Sequence, residues 1–236
     1  MTKTKLPDKD FGWNPELAYA IGLLVTDGCL SNDGRHIIMR SSDFDLLETF
    51  KNCIKIDNRI CRTVNKNVYS YRVQFGNVQF YNWLMKIGLK PAKTYTIKEI
   101  KIPDVFFKDF LRGHLDGDGS ILGYEDKYNS YRGRTYKNNR LFVRFISASK
   151  IHTLWLHRKI TALAGVKGAF LTRKPHQPNR VPIYEIKFAK RESLKLLGWI
   201  YYRPNLPTLL RKRLLAEQLI KRVKNEARKP YAFVVN

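Results

Sequence analysis

Apolar and polar positions along this chain alternate with two different periods, and the switches between them mark its elements. Residues 18–25, AYAIGLLV, form a nearly continuous apolar run that stops at Thr-Asp-Gly, and residues 110–115, FLRGHL, form another that stops at Asp-Gly-Asp-Gly. Aligning the two endings places Asp27 on Asp118, Gly28 on Gly119 and Gly22 on Gly113, an offset of 118 − 27 = 91 residues. The order of elements then repeats. After each ending comes a strand-like run (RHIIMRSS, RLFVRFISAS), a helix-like run (DFDLLETFKNCI, KIHTLWLHRKIT), two more strand-like runs (RICRTV and VYSYRVQF, VKGAFLTR and VPIYEIKF) and a closing helix (VQFYNWLMKIG, RESLKLLGWI). The pattern predicts an internal pseudo-twofold repeat. Its offset grows to 106 at Ser41 and Ser147, so the second copy carries an insertion of 106 − 91 = 15 residues around YEDKYNSYRGRTYKNNR.

Period-two alternation assigns faces within the strands. In VYSYRVQF, Tyr69, Tyr71, Val73 and Phe75 share the face predicted for the core, leaving Ser70, Arg72 and Gln74 on a hydrogen-bonding face. In IYEIKF, Tyr184, Ile186 and Phe188 alternate with Glu185 and Lys187, and in RLFVRF, Arg140 and Arg144 share a face. Near the end of the chain, Leu210, Leu214, Leu215 and Leu219 suggest a helical stripe packed on the second half.

The two apolar runs carry small residues four apart: Ala18, Gly22 and Thr26 in the first, Gly113 and Gly117 in the second. Such spacing lines one helix face with groups that let two backbones approach closely. Parallel docking through these faces brings Asp27 beside Asp118, each at a helix C-terminus whose dipole is already negative. Two carboxylates so placed repel one another unless a cation lies between them, and hard divalent ions prefer carboxylate oxygens. One Asp-Gly-Asp-Gly alone is an ordinary helix stop and turn. Two copies in register point to a site.

Composition narrows the partner. The 236 residues are 44% apolar, enough for a substantial core, and 44 Lys and Arg against 20 Asp and Glu leave a net charge of +24, which a polyanion would neutralise. No apolar run is long enough to span a membrane, and the N-terminus lacks the apolar centre of a signal peptide, so an intracellular protein is expected. Cys29, Cys53 and Cys61 have no CxxC spacing and read as buried small apolar residues. His36, His114, His152, His157 and His176 form no metal-ligand pattern and read as core or surface residues.

The segments AIGLLVTDG (residues 20–28) and LRGHLDGDG (111–119) resemble the paired motifs of single-chain LAGLIDADG homing endonucleases, and the resemblance extends from about residue 15 to residue 222. It implies an α+β fold of two pseudo-symmetric αββαββα halves, packed through the motif helices, with antiparallel sheets forming a saddle for DNA. The halves would be residues 1–88 and 104–236, the latter with a basic C-terminal helix, joined by a surface linker over 89–103, and one chain would act as a monomer. The resemblance also implies Mg²⁺ bound by Asp27 and Asp118, with Mn²⁺ substituting and Ca²⁺ supporting binding without cleavage. Asp116 matches an earlier, structural acid of the motif, which Val25 replaces in the first copy. A catalytic basic residue is expected at the end of the last strand of a half, where Lys190 fits best, Lys187 is a second choice, and the first half offers Asn77.

The implied activity is a double-strand break in a long DNA target, leaving short 3′ overhangs. Ser70, Arg72, Gln74, Arg140, Arg144, Glu185 and Lys187 are the candidate base-reading residues, since Arg and Lys suit guanine and Gln suits adenine in the major groove. Basic segments such as RKRLLAEQLIKR would contact phosphates or remain solvated. An RNA maturase acting on a host intron and a non-cleaving DNA-binding regulator remain alternatives on the same scaffold. Whether the gene is organellar, bacterial or phage-borne is not encoded in these patterns.

Overall fold

The computed structural model describes residues 11–65, 68–131, 134–175 and 181–227. His176 lies outside them. The first half runs α1 (Pro15–Thr26), β1 (Gly28–Leu30), β2 (His36–Ser41), α2 (Phe44–Ile54), β3 (Ile60–Asn65), β4 (Val68–Gly76) and α3 (Val78–Ile87). The second runs α4 (Phe107–Asp116), β5 (Ser120–Tyr131), β6 (Arg134–Ser147), α5 (Lys150–Ala164), β7 (Ala169–Arg173), β8 (Ile183–Phe188) and α6 (Lys190–Ile200), followed by α7 (Leu210–Ala227). Both halves are therefore αββαββα, as the family resemblance implies; the run-by-run pattern shows one strand after each motif helix and misses β1 and β5. Each forms a four-stranded antiparallel sheet, in the orders β1-β2-β4-β3 and β5-β6-β8-β7. The insertion lengthens one hairpin: β5 and β6 have 12 and 14 residues where β1 and β2 have 3 and 6.

Local chemistry starts and stops these elements. Asn14 accepts a hydrogen bond from Leu17 N at 2.8 Å and Pro15 occupies the first turn, so α1 begins with one of its free amides capped. The helix is apolar all round because it is buried all round, from Leu17 to Val25. Each sheet turns one face inward, with Ile37, Met39, Val73 and Phe75 buried in the first and Leu141, Val143, Phe145, Ile186 and Phe188 in the second. The other faces remain open.

The structure corrects four readings of the sequence. Tyr69 lies in phase with Val73 and Phe75, but β4 outruns the core at that end; the ring is 52% exposed, with the Arg62 guanidinium 3.9 Å from its centroid. Cys29 and Cys61 are exposed and Cys53 only partly buried, because the first two fall on the open face of the sheet. The segment 89–103 is a packed strap and not simply a surface linker: its intervening residues are mostly exposed, but Leu89, Lys93, Ile97, Ile100 and Ile102 are buried, and Ser149 Oγ and His152 Nδ1 donate to the carbonyls of Ile97 and Lys98 at 2.5 and 2.7 Å. In α7 and the residue before it, the packed stripe is Leu209, Lys212, Ala216, Leu219 and Val223, spaced three and four apart, while Leu210, Leu214 and Leu215 face outward. A run so rich in leucine supports several helical phases.

Candidate active site and nucleic-acid interface

At the centre of the molecule α1 and α4 pack in parallel with their backbones in contact. A Cβ on Gly22 would lie 2.2 Å from the Phe110 carbonyl oxygen, and one on Gly113 would lie 2.1 Å from that of Tyr19. Further along, a Cβ on Gly117 would meet Thr26 Oγ1 at 2.0 Å and an Asp27 carboxylate oxygen at 2.6 Å. The small faces read from the sequence thus form the helix interface, and both helices end at one place. There the structure brings Asp27 and Asp118 together.

Asp27 caps α1 and accepts from Thr26 Oγ1 at 3.2 Å. Burial first, and then the nearby Asp118 carboxylate, push its pKa up to about 6. Burial also raises Asp118, although that residue lies at the open mouth of the site. Asp116 points the other way and is 2% exposed, accepting from Tyr19 Oη at 2.8 Å, Leu209 N at 2.7 Å and Thr208 Oγ1 at 3.2 Å. It ties both motif helices to the segment before α7.

Two lysines that the sequence reading missed complete the site. Lys93 Nζ donates to the carbonyls of Thr26 (3.3 Å) and Gly28 (2.5 Å). Lys212 Nζ donates to those of Gly117 (3.1 Å) and Gly119 (2.7 Å), and also to Leu115 and Asp116. Adding the motif offset of 91 to 26 and 28 gives 117 and 119, so both lysines use equivalent carbonyls. Each ammonium satisfies orphan carbonyls and opposes the negative end of its helix. Burial lowers both lysine pKa values, while Asp27 and Asp118 oppose the shift, so the four groups share one field.

No family model matches the sequence, and no curated protein sequence matches it. Solved structures do match. The LAGLIDADG homing endonuclease I-LtrWI bound to target DNA aligns with a TM-score of 0.59 over 90% of this chain and 92% of its own, at 14% identity. The LAGLIDADG homing endonuclease I-SmaMI bound to cleaved DNA aligns with a TM-score of 0.60 over 92% of this chain and 91% of its own, at 12% identity. Full-length DUF199/WhiA from Thermatoga maritima aligns with a TM-score of 0.56 over 98% of this chain and 67% of its own, at 15% identity. The chain has the LAGLIDADG homing-endonuclease fold.

Within the LAGLIDADG fold, sheet register shows which other expected residues approach the acids. Arg40 N donates to the Asp27 carbonyl, and Arg40 is the register partner of Arg72, so the first sheet is level with the site there. In the second sheet Ser120 is opposite Arg144, which is opposite Lys187. Counting two residues back sets Asp118 level with Ile146 and Glu185, and Lys190 is then five residues along, roughly 15 Å away. The structure accordingly places Lys190 at the start of α6, lining a separate cavity of about 130 Å³ with Asn139, Arg140 and Phe142. Asn77, its first-half counterpart, caps α3 by accepting from Phe80 N at 2.7 Å. Neither joins the carboxylates.

On the open faces Arg72 and Gln74 are exposed and Ser70 is partly so. Arg140 is exposed and paired with Asp126 at 2.9 Å, and Lys187 Nζ lies 4.1 Å from the centroid of the Phe142 ring. Glu185 departs from the expected accessible residue. It faces the open side of the sheet yet is fully buried beneath arginine side chains.

Beside Asp118 is a cavity of about 70 Å³, lined in part by Thr26, Lys93, His114 and His152. The two imidazoles meet Nε2 to Nε2 at 3.2 Å. A carbonyl can only accept, so His152 Nδ1 donates to Lys98 and its Nε2 accepts from His114. Burial holds both neutral, with His152 pushed down to about 4, so the pair serves as core structure.

The raised carboxyl of Asp27 has a consequence for stability. Its folded-state pKa of about 6 exceeds the ordinary aspartate value of about 3.9, so the folded state binds the proton more tightly. Stability from this group is full below about pH 4 and is lost as the pH rises towards about 6. In buffer free of divalent ions, Asp27→Asn should therefore gain on the unmutated protein over this interval, by roughly 1–2 kcal/mol after allowance for solvent screening. Denaturant titrations of both proteins at pH 4, 5, 6 and 7 measure the difference, and parallel curves would show that the carboxylate is not strained.

Proposed function

We propose that this chain is a site-specific DNA endonuclease that breaks both strands of a long duplex and leaves short 3′ overhangs, with Mg²⁺ held by Asp27 and Asp118. The observation that carries the reading is the convergence of these two acids and two lysines at the paired ends of α1 and α4, between two open sheet faces. The similar endonuclease structures are themselves bound to DNA. Among the described residues no helix is long and apolar enough to cross a membrane.

The donor set suits a hard divalent cation. Two carboxylates raised in pKa by burial, one of them further by its neighbour, are a pair whose repulsion such an ion relieves. Among the described residues no group of three or more His, Cys, Asp or Glu forms a ligand cage, which suits an ion that keeps water and substrate oxygens in its shell. When bound, it supplies charge relief on the phosphoryl oxygens and an activated water; Mn²⁺ would do the same, and Ca²⁺ would support binding alone.

The protein's own groups do the rest. Gly117 leaves room for the Asp27 carboxylate. Lys212 spends its donors on four helix-end carbonyls and fixes the backbone leading to Asp118. Lys93 makes two such bonds among the described residues, leaving one of its three donors for a phosphate oxygen. Arg72, Gln74, Arg144 and Lys187 would read base edges from the open faces. One chain contains both halves, so it would act as a monomer.

The test is a cleavage selection from a large duplex DNA library, in Mg²⁺ and in Ca²⁺. One long site cut on both strands only in Mg²⁺ supports the endonuclease. A site bound in both ions but never cut would favour a regulator, and preference for a structured intron RNA would favour a maturase.

A further inference from the structure

We propose that Glu185 is a positioning residue for sequence readout: it gathers Arg144 and Arg173 as a cross-strand pair on the open face of the second sheet and does not itself contact DNA. The proposal rests on the DNA-binding reading above.

Register creates the arrangement. Glu185 on β8 is opposite Ile146 of β6 and Leu171 of β7, while Arg144 and Arg173 stand two residues along those flanking strands. Such diagonal neighbours are about 7–8 Å apart at the backbone, within reach of arginine. Both side chains lean onto the one carboxylate. Arg173 Nε donates to one oxygen of Glu185 and its Nη2 lies against the same oxygen, whereas Arg144 Nε lies 3.4 Å from the other as an ion pair without a hydrogen bond.

The glutamate is 0% exposed, whereas Arg173 and Arg144 remain 55% and 24% exposed, so the carboxylate is covered and the guanidinium groups are presented. Arg144 also lies 5.7 Å from the centroid of the Phe142 ring, which borders it on a second side. An ionised group without access to water requires such partners. The Arg173 guanidinium, hydrogen-bonded to Glu185, loses freedom before any ligand arrives, and Arg144 is drawn to the same carboxylate by charge and bordered by Phe142, which favours a directional contact over a diffuse one.

An acid on this face is otherwise unexpected. In a chain of net charge +24 it lowers attraction for a polyanion, so affinity does not account for it. The fold does not require it either. The offset of 106 places Arg40 on Ile146, and their partners on β4 and β8 are Arg72 and Glu185, so the equivalent position in the first half holds an exposed arginine. The two sheets would thus read their half-sites differently: the first through an arginine, the second through two arginines set by a buried acid.

The test compares the unmutated protein with Glu185→Gln, Glu185→Asp, Arg144→Ala and Arg173→Ala in binding selections from randomised duplex DNA in Ca²⁺, read base pair by base pair. Glu185→Gln should lose roughly tenfold discrimination at the base pairs that the two arginine variants identify. Elsewhere in the site it should keep the unmutated preferences, and its affinity for non-specific DNA should be equal or higher. Glu185→Asp, which retains the charge, should recover part of the discrimination; if Glu185→Gln does not fold, the aspartate variant alone should show a loss confined to those base pairs. Unchanged discrimination, or a loss spread evenly over the site, would overturn the positioning role. Failure of the unmutated protein to enrich any sequence would instead overturn DNA recognition and this proposal with it.

Discussion

Replacing Asp118 with asparagine should reduce double-strand cleavage by roughly a thousandfold or more, and Asp27→Asn should do likewise, while binding in Ca²⁺ persists. The expectation follows from the site's small donor inventory. Two carboxylates converge at the site, and under the proposed reading removing one would halve the anionic groups offered to a cation. Loss of a single preorganised charge-stabilising group at a reacting centre commonly costs 10²–10³ in rate, and a lost metal ligand costs affinity as well. The substitution is nearly isosteric, and among the described residues no side-chain hydrogen bond to Asp118 holds the fold, so the effect belongs to the chemistry. Supercoiled plasmid carrying the selected site separates the outcomes: nicked product would mean that each acid serves mainly one strand, and intact plasmid that both serve each cut. Full linearisation by either variant would show that the paired acids do not carry the reaction.

Gly22→Val should cost more than about 3 kcal/mol of stability, and Gly113→Val a similar amount. The new Cβ atoms would sit 2.2 Å from the Phe110 oxygen and 2.1 Å from the Tyr19 oxygen, and both obstacles are backbone, so no rotamer change relieves them. The helices must move apart, which also separates Asp27 from Asp118. Gly198→Ala provides the control. Gly198 lies within α6 with nothing near its would-be Cβ, and alanine there should stabilise by roughly 0.5–1 kcal/mol. Denaturant midpoints measure all three. A Gly22→Val protein as stable as the unmutated one would show that the close crossing is not what joins the halves.

The residues that could be read in advance are those whose signal repeats. The acid at the helix end (Asp27, Asp118), the glycines and the order of helices and strands each occur twice in one register, and a pattern that fits both halves of a chain constrains itself. Lys93 and Lys212 were not legible because lysine ordinarily marks solvent. Yet Lys212 left a trace, as the one charged member of the stripe Leu209, Lys212, Ala216, Leu219 and Val223. Reading that stripe through Leu210 and Leu214 hid it. Glu185 illustrates a different limit: strand alternation fixes which face a side chain takes, and longer neighbours on adjacent strands decide whether it is covered. Lys190 was displaced for a third reason, since the last strand of each half runs away from the acids and delivers its final residue to a helix start.

The seat of Lys93 bears on how the chain can be divided. Its ammonium closes the end of α1, so the N-terminal unit reaches past the last turn of α3 and into the segment that joins the halves. An exchange of halves between related chains that cuts at Gly88 would strand the carbonyls of Thr26 and Gly28 without their cation, whereas a crossover after Thr96 would carry the lysine along. In the C-terminal unit the matching lysine follows its acid by 212 − 118 = 94 residues, against 93 − 27 = 66 in the first. A transplanted C-terminal half therefore has to include α7, which makes that helix part of the inheritable module and not an appendage to it.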